Sequence, residues 1–344
     1  MSLRRRRYHR AFLPRCVILM MAMFAFTVAA LFKTTYLPVP GSPGQRLALH
    51  CIAPERPTHK SVLFIHGASF PTRLAAGYEF SPGDSWMGFM ARQGFLACGL
   101  DFLGFGESSR PPAMLGAADA AAPVTRAAEA ADEIALAVDY LQKQPGMKTI
   151  HLVAHSWGTI PATAFAASHP GALKSLTLFG PIVPGRPDDD AGSEHPAWFA
   201  LTAQERLEQL RFKKVLPAGK QLLDPAVEKR WAAQFEASVP HVTGDKPGVL
   251  RIPEGPNVDI SAVGTGAYPY DPKALKLPLF VVYGNYDVVV NDSGAKAFLA
   301  RFSASPLKWQ LRLDDGTHVM HLEKIRRSLY ASVNAFISAT ELAP

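Results

Sequence analysis

An α/β fold with a mostly parallel central sheet flanked by helices is what this sequence predicts, on three observations. Short continuous apolar runs recur between helical stretches from residue 34 onward, each the length of a strand buried on both faces. The 344 residues are 48 % hydrophobic and 19 % charged, which excludes a disordered chain and supplies one large core or two smaller ones. With 3 Cys and no repeat of solenoid period, neither a disulfide scaffold nor a repeat array fits.

Thr34–Val39 and Arg46–Ala53 read as two strands around the turn Gly41-Ser42-Pro43-Gly44. Ser61–Ile65 and Phe95–Phe102 are apolar strands, with a helix over Trp86–Gln93 between them that Gly94 ends. In Thr125–Lys143 the side chains Ile134, Val138 and Leu141 share one helix face, and Gln144-Pro145-Gly146 stops the helix. Thr149–Ala154 is a strand and Thr159–Ser168 a small-residue helix. Further strands fall at Leu173–Phe179, Leu277–Tyr283 and Trp309–Leu313, and helices at Ser293–Phe302 and His321–Ala339. Alternation of this kind pairs strands in parallel and covers both faces of the sheet. From Pro184 to Tyr270 the alternation stops. That stretch reads as an insertion without strands, carrying helices near Thr202–Lys213 and Pro225–Glu236. Within it, Asp188-Asp189-Asp190 reads as a solvated loop rather than a metal site, since three adjacent acids do not converge on one ion unaided.

The N-terminus is of a different character. Residues 1–33 hold seven cations and no acid, which accounts for the whole formal net charge of +7. The remainder is neutral, so no basic face for nucleic acid is expected. Cys16–Phe32 is uncharged, on the border between a signal-peptide apolar region and a membrane-spanning helix. Arginines before such a run hold it on the cytoplasmic side, so the chain beyond it is expected to be exported, anchored through residues 16–32 or released by cleavage near Val28-Ala29-Ala30. A buried core helix would not carry four consecutive arginines on its flank.

The chemistry rests on Ala154-His155-Ser156-Trp157-Gly158, which follows one expected strand and opens the next helix. A serine on such a sharp turn is lifted off the sheet, and the helix N-terminus beside it favours developing negative charge. A serine nucleophile needs a base, and the base an orienting acid. Asp287, in Tyr283-Gly284-Asn285-Tyr286-Asp287, and His318, in Asp314-Asp315-Gly316-Thr317-His318, each follow a later strand. Active sites of open α/β sheets lie at those strand ends. Capping for Asp287 and surface placement for His318 are the ordinary alternatives; their joint order with Ser156 argues against coincidence. His321 is the rival base, but it is expected to start the last helix. His155 reads as packed rather than catalytic, and Asp101 as the anchor of its glycine-rich turn.

With these motifs the chain resembles the α/β-hydrolase superfamily, as a serine-nucleophile, capped esterase- or lipase-like member, over about residues 34–340. His66-Gly67-Ala68 resembles the family's oxyanion loop, and Asp101-Phe102-Leu103-Gly104-Phe105-Gly106-Glu107-Ser108 its D-x-x-G-x-G-x-S turn. The resemblance implies an oxyanion hole of the Ala68 and Trp157 main-chain N–H groups, a core of residues 34–183 and 271–344, and a cap at 184–270. The chain departs from the pattern at Ala154, where the family has glycine, and at Ser69-Phe70-Pro71-Thr72.

The expected activity is hydrolysis of a small-molecule acyl ester through an acyl-enzyme on Ser156. Aminopeptidase-like or thioesterase chemistry, or a non-catalytic binding protein at the membrane, are the alternatives. No cofactor or metal is expected: no third glycine follows Gly104 and Gly106 at dinucleotide spacing, and neither H-E-x-x-H nor C-x-x-C occurs. Trp198, Phe199, Leu201, Trp231 and Phe235 in the insertion suggest a preference for neutral, apolar acyl esters. By the same resemblance the strands of Cys51 and Cys98 are neighbours, and the two either bridge in an oxidising compartment or stay as buried thiols.

Overall fold

The computed structural model describes residues 32–185, 194–211, 215–239 and 242–342. The N-terminal segment 1–31 and the Asp188–Asp190 run lie outside the described residues. Among those described, no helix is long and apolar enough to cross a membrane.

Eight strands form one sheet. In chain order they are β1 (Lys33–Pro38), β2 (Arg46–Ile52), β3 (Lys60–Ile65), β4 (Phe95–Asp101), β5 (Thr149–His155), β6 (Ser175–Phe179), β9 (Leu279–Gly284) and β10 (Lys308–Leu313). Their spatial order is β1-β2-β4-β3-β5-β6-β9-β10. The first two join antiparallel, and every pair from β4 to β10 is parallel. The period of two along each strand divides the core. Val62 and Phe64 of β3, with Phe280 and Val282 of β9, meet helices α1 (Trp86–Arg92) and α8 (Arg326–Leu342) on one face. Leu63, Ile65, Leu279 and Val281 point to the other face, against α2 (Ala127–Gln142), α3 (Thr159–Ser168) and α7 (Asp292–Ala300).

The register sets Cys51 directly opposite Cys98, and the two form a disulfide with Cα atoms 4.1 Å apart. Of the two fates open to these cysteines, the structure has the bridge.

The segment between β6 and β9 corrects the expectation of a strandless insertion. It holds β7 (Trp198–Thr202) and β8 (Val249–Pro253), paired antiparallel as a separate two-stranded ribbon. Each is 5 residues long; the apolar run 198–201 leads almost directly into the helix that starts at Ala203, and Arg251 interrupts β8, so neither stands out as a strand before the two pair. The segment also carries α4 (Ala203–Arg211), α5 (Pro225–Glu236) and α6 (Gly255–Gly264), the last not foreseen because of its weak periodicity. The last helix starts later than expected: Met320–Leu322 is a short 3-10 turn, and α8 begins at Arg326. Likewise α2 begins two residues late, because Thr125 takes φ 60°.

Candidate active site

Ser156 sits on a sharp turn between β5 and α3 with φ 55°, a left-handed conformation that is strained for any residue with a Cβ. Gly158 is required there, because a Cβ at that position would collide with the His66 carbonyl. The same packing brings the loop after β3 onto the turn: a Cβ on Gly67 would lie 3.0 Å from Ser156 Cβ. Ala68 is the next residue of that loop, and Trp157 is fully buried beside Ser156.

The loops after β9 and β10 deliver the other two groups. The Ser156 hydroxyl donates to His318 Nε2 at 2.8 Å, and His318 Nδ1–H donates to both Asp287 oxygens at 3.0 and 3.1 Å. The Asp287 carboxylate is fully buried and also accepts from the Val289 N–H at 2.7 Å. An acceptor at Nδ1 fixes the His318 tautomer, so that Nε2 is left to take the serine proton. Ser156, His318 and Asp287 therefore form one hydrogen-bonded line at the C-terminal ends of three strands.

His321 is not on this line. It is buried three residues further on, 4.8 Å from the ring of His155, and burial followed by the nearby His318 pushes it down to about 3. His155 faces away from the serine hydroxyl: its Nε2–H donates to the His318 carbonyl at 2.8 Å, so it holds the main chain of that residue. Burial, then the neighbouring histidines, keep His155 neutral.

Other supporting groups had weaker or no signals in the sequence. Gly180 directly follows β6 with φ 55°, and a Cβ there would lie 2.8 Å from His318 Nδ1 and 3.1 Å from Asp287 Oδ2. It backs the His318–Asp287 pair, and its position at a strand end was the one available signal. Glu323 receives both the N–H and the hydroxyl of Thr317, at 2.9 and 2.6 Å, and so fastens the loop that carries His318. Burial raises its carboxyl to about 7. Asp259 of α6 accepts from Trp157 Nε1 at 3.1 Å, from Arg126 Nε at 2.7 Å and from the Ala127 N–H at 2.6 Å. It ties the insertion to the serine turn and to the start of α2; as a single acid in a helix without periodicity it gave no signal.

Asp101 does anchor its turn. It accepts from the N–H groups of Thr72 and Glu107 at 2.8 and 3.1 Å and from His50 Nε2–H at 3.0 Å. Burial opposes its ionisation, but the bond and charge of His50, with the charge of His66 and the Thr72 N–H, together hold the carboxyl below its ordinary value.

Comparison with known proteins adds the following. The family model described as alpha/beta hydrolase fold matches residues 60–325. A probable lysophospholipase, BODYGUARD 1 of Arabidopsis thaliana, is 30 % identical over 166 residues, which are 48 % of this chain and 31 % of that protein. A second, BODYGUARD 2 of the same plant, is 63 % identical over 35 residues, 10 % of this chain and 7 % of that one. The matches thus span less than a third of the length of these relatives. Among solved structures, a membrane phospholipase A superposes with a TM-score of 0.61 at 17 % identity, covering 92 % of this chain and 88 % of that one. The thioesterase domain from a curacin biosynthetic pathway does so with 0.59 at 18 % identity, covering 88 % and 99 %. At such identities the likeness is one of fold.

Proposed function

The chain belongs to the α/β-hydrolase fold family, and from that premise we propose that this hydrolase cleaves carboxylic esters through an acyl-enzyme on Ser156. The observation that carries the reading is the unbroken line Ser156 Oγ–His318–Asp287. His318 takes the serine proton as Oγ attacks the ester carbonyl. It returns that proton to the departing alkoxide, and then activates water against the acyl-enzyme. Asp287 orients the ring and stabilises the imidazolium. The main-chain N–H groups of Ala68 and Trp157 are the oxyanion donors in this reading, each contributing about 3–4 kcal/mol to the transition state.

Esters of long acyl chains, lysophospholipids among them, are the proposed substrates. The names of the two plant relatives and the apolar side chains of the insertion support this class. We also propose that the domain works outside the cytoplasm. The cationic, then uncharged, N-terminal sequence supports this, as does the Cys51–Cys98 bridge, a bond that persists in oxidising compartments. Fluorophosphonate labelling of the purified protein tests the catalytic reading, with acyl esters, thioesters and aminoacyl amides assayed beside it. Labelling lost in Ser156→Ala and highest kcat/KM on esters is the expected result; absence of labelling, or an aminoacyl preference, overturns it. For location, a reporter fused after residue 40 should be active only if it is one that works outside the cytoplasm; a cytosolic signal contradicts the assignment.

A further inference from the structure

Arg206 lies on α4 of the insertion, with its guanidinium carbon 5.3 Å from the centre of the Phe70 ring. Phe70 is two residues past Ala68, and its ring lies 6.4 Å from His155 and 5.4 Å from Trp231 of α5. Arg206 thus stands two ring spacings from the residue that precedes Ser156. One terminal nitrogen donates to Gln209 Oε1 at 2.6 Å, which fixes the plane of the group. Its Nε is buried and has no hydrogen-bond partner among the described residues.

No carboxylate among the described residues pairs with Arg206. The acids of its own helix face solvent and are engaged elsewhere, Glu205 with Thr202 and Glu208 with Gln204. On α5, Arg230 is engaged elsewhere, with the Tyr78 hydroxyl and the Phe80 carbonyl. Other half-buried arginines of the fold have counter-charges: Arg126 has Asp259, and Arg251 has Asp245. Arg110 also has unpartnered nitrogens, but it shares the field of Asp245. For Arg206, burial alone acts, and draws the guanidinium down to about 10, still a cation at neutral pH.

A cation taken out of water without a counter-charge costs several kcal/mol in a protein interior. Yet the Arg206 side chain is only half-buried, so part of it remains open to solvent. One turn along the same helix, Leu210 lines a cleft of about 580 Å³ with Leu222, Leu223 and Glu323. Through Glu323 and Thr317 that cleft adjoins the His318 loop. An oriented guanidinium without a counter-charge, near a cleft that adjoins the His318 loop, has the chemistry of an anion subsite.

We propose that Arg206 binds an anionic group, a phosphate or a carboxylate, on the alcohol part of the ester cleaved at Ser156. The inference rests on the ester-hydrolase reading above and narrows it: the acyl chain is apolar, and the substrate as a whole is charged. The neutral, apolar preference expected from the sequence then applies to the acyl chain alone.

The test compares three oleoyl esters: lysophosphatidic acid, monooleoylglycerol and oleoyl lactate. Their alcohol parts carry a phosphate, no charge and a carboxylate. In the wild-type protein kcat/KM for at least one anionic ester should exceed that for the neutral one by about tenfold or more, and which anion leads separates phosphate from carboxylate. Arg206→Gln should lower kcat/KM on that ester by about a hundredfold and collapse the anionic-to-neutral ratio. Arg206→Lys, which keeps the charge but not the fork, should retain an intermediate ratio and serves if the glutamine variant does not fold. No anionic preference in the wild type overturns the inference, as does a ratio that survives in Arg206→Gln or collapses only in Arg110→Gln. Fluorophosphonate labelling of Ser156 keeps the two claims apart. Labelled protein without anionic preference defeats the subsite alone, whereas unlabelled protein defeats the ester-hydrolase reading.

Discussion

The acids at the strand ends of the sheet and Arg206 of the insertion packed against them are held in different ways. At the strand ends every charge is met at once: Asp287 by His318 and the Val289 N–H, Asp101 by His50 and two N–H groups, Glu323 by Thr317. The insertion bonds most of its charges too, Asp259, Arg230 and Lys220 to the core and Arg251 to Asp245, but Arg206 has no counter-charge among the described residues and its Nε has no partner. Preorganisation lies with the acids at the strand ends. Groups whose positions must not vary during a reaction are bonded within the fold before any substrate arrives. A group that selects a substrate must instead be left open for it.

Changes at the strand ends should have the largest effects. Ser156→Ala or His318→Ala should lower kcat by about 10⁴-fold or more, with the fold intact by circular dichroism. His321→Ala should retain turnover far above either; the reverse pattern would reassign the base. Next comes Gly180→Ala, whose Cβ would press on both His318 and Asp287. Displacing that pair should cost about a hundredfold in kcat with little change in KM, and an unaffected kcat would show that the pair tolerates movement.

The bond between the two regions should matter for stability first. Asp259→Ala strands the Arg126 guanidinium and two N–H groups, and should cost about 3 kcal/mol in denaturant unfolding. A loss within experimental error would mean that the insertion holds to the core without it. The smallest effect concerns Glu133 of α2, a buried carboxyl that accepts from the Leu103 N–H. Burial raises it from the ordinary 4.5 to about 8. Folding therefore favours its neutral form, so its stability contribution is complete below its unfolded value and is lost as pH rises through about 8. The melting temperature should fall by on the order of 5 °C across that window in the wild type and by less in Glu133→Gln. Equal falls in both would exclude Glu133 as the source.

What was legible in the sequence was local or repeated in order along the chain. The apolar runs of β3, β5 and β9 announce strands buried on both faces, because a parallel sheet covered by helices leaves no polar side to alternate with. The serine turn is legible for a similar reason: its strained residue and its small neighbour stand within five consecutive positions. The order Ser156, Asp287, His318 was readable because the first two follow such runs and the third follows the alternating strand β10.

Tertiary structure alone decided the rest, and in each case the deciding contact joins residues far apart in the chain. The strands β7 and β8 become strands only by pairing with each other, since five residues next to a helix or broken by an arginine carry no period long enough to declare themselves. Cys51 and Cys98 bridge because the register sets them opposite one another, and a slip of one residue would have turned them to opposite faces. Gly180 owes its role to two side chains that arrive from loops more than 100 residues later. Arg206 is one of 36 basic residues by composition, and only the burial of its Nε without a partner sets it apart. Burial and the absence of a counter-charge are properties of a place in space, and no spacing along a sequence encodes them.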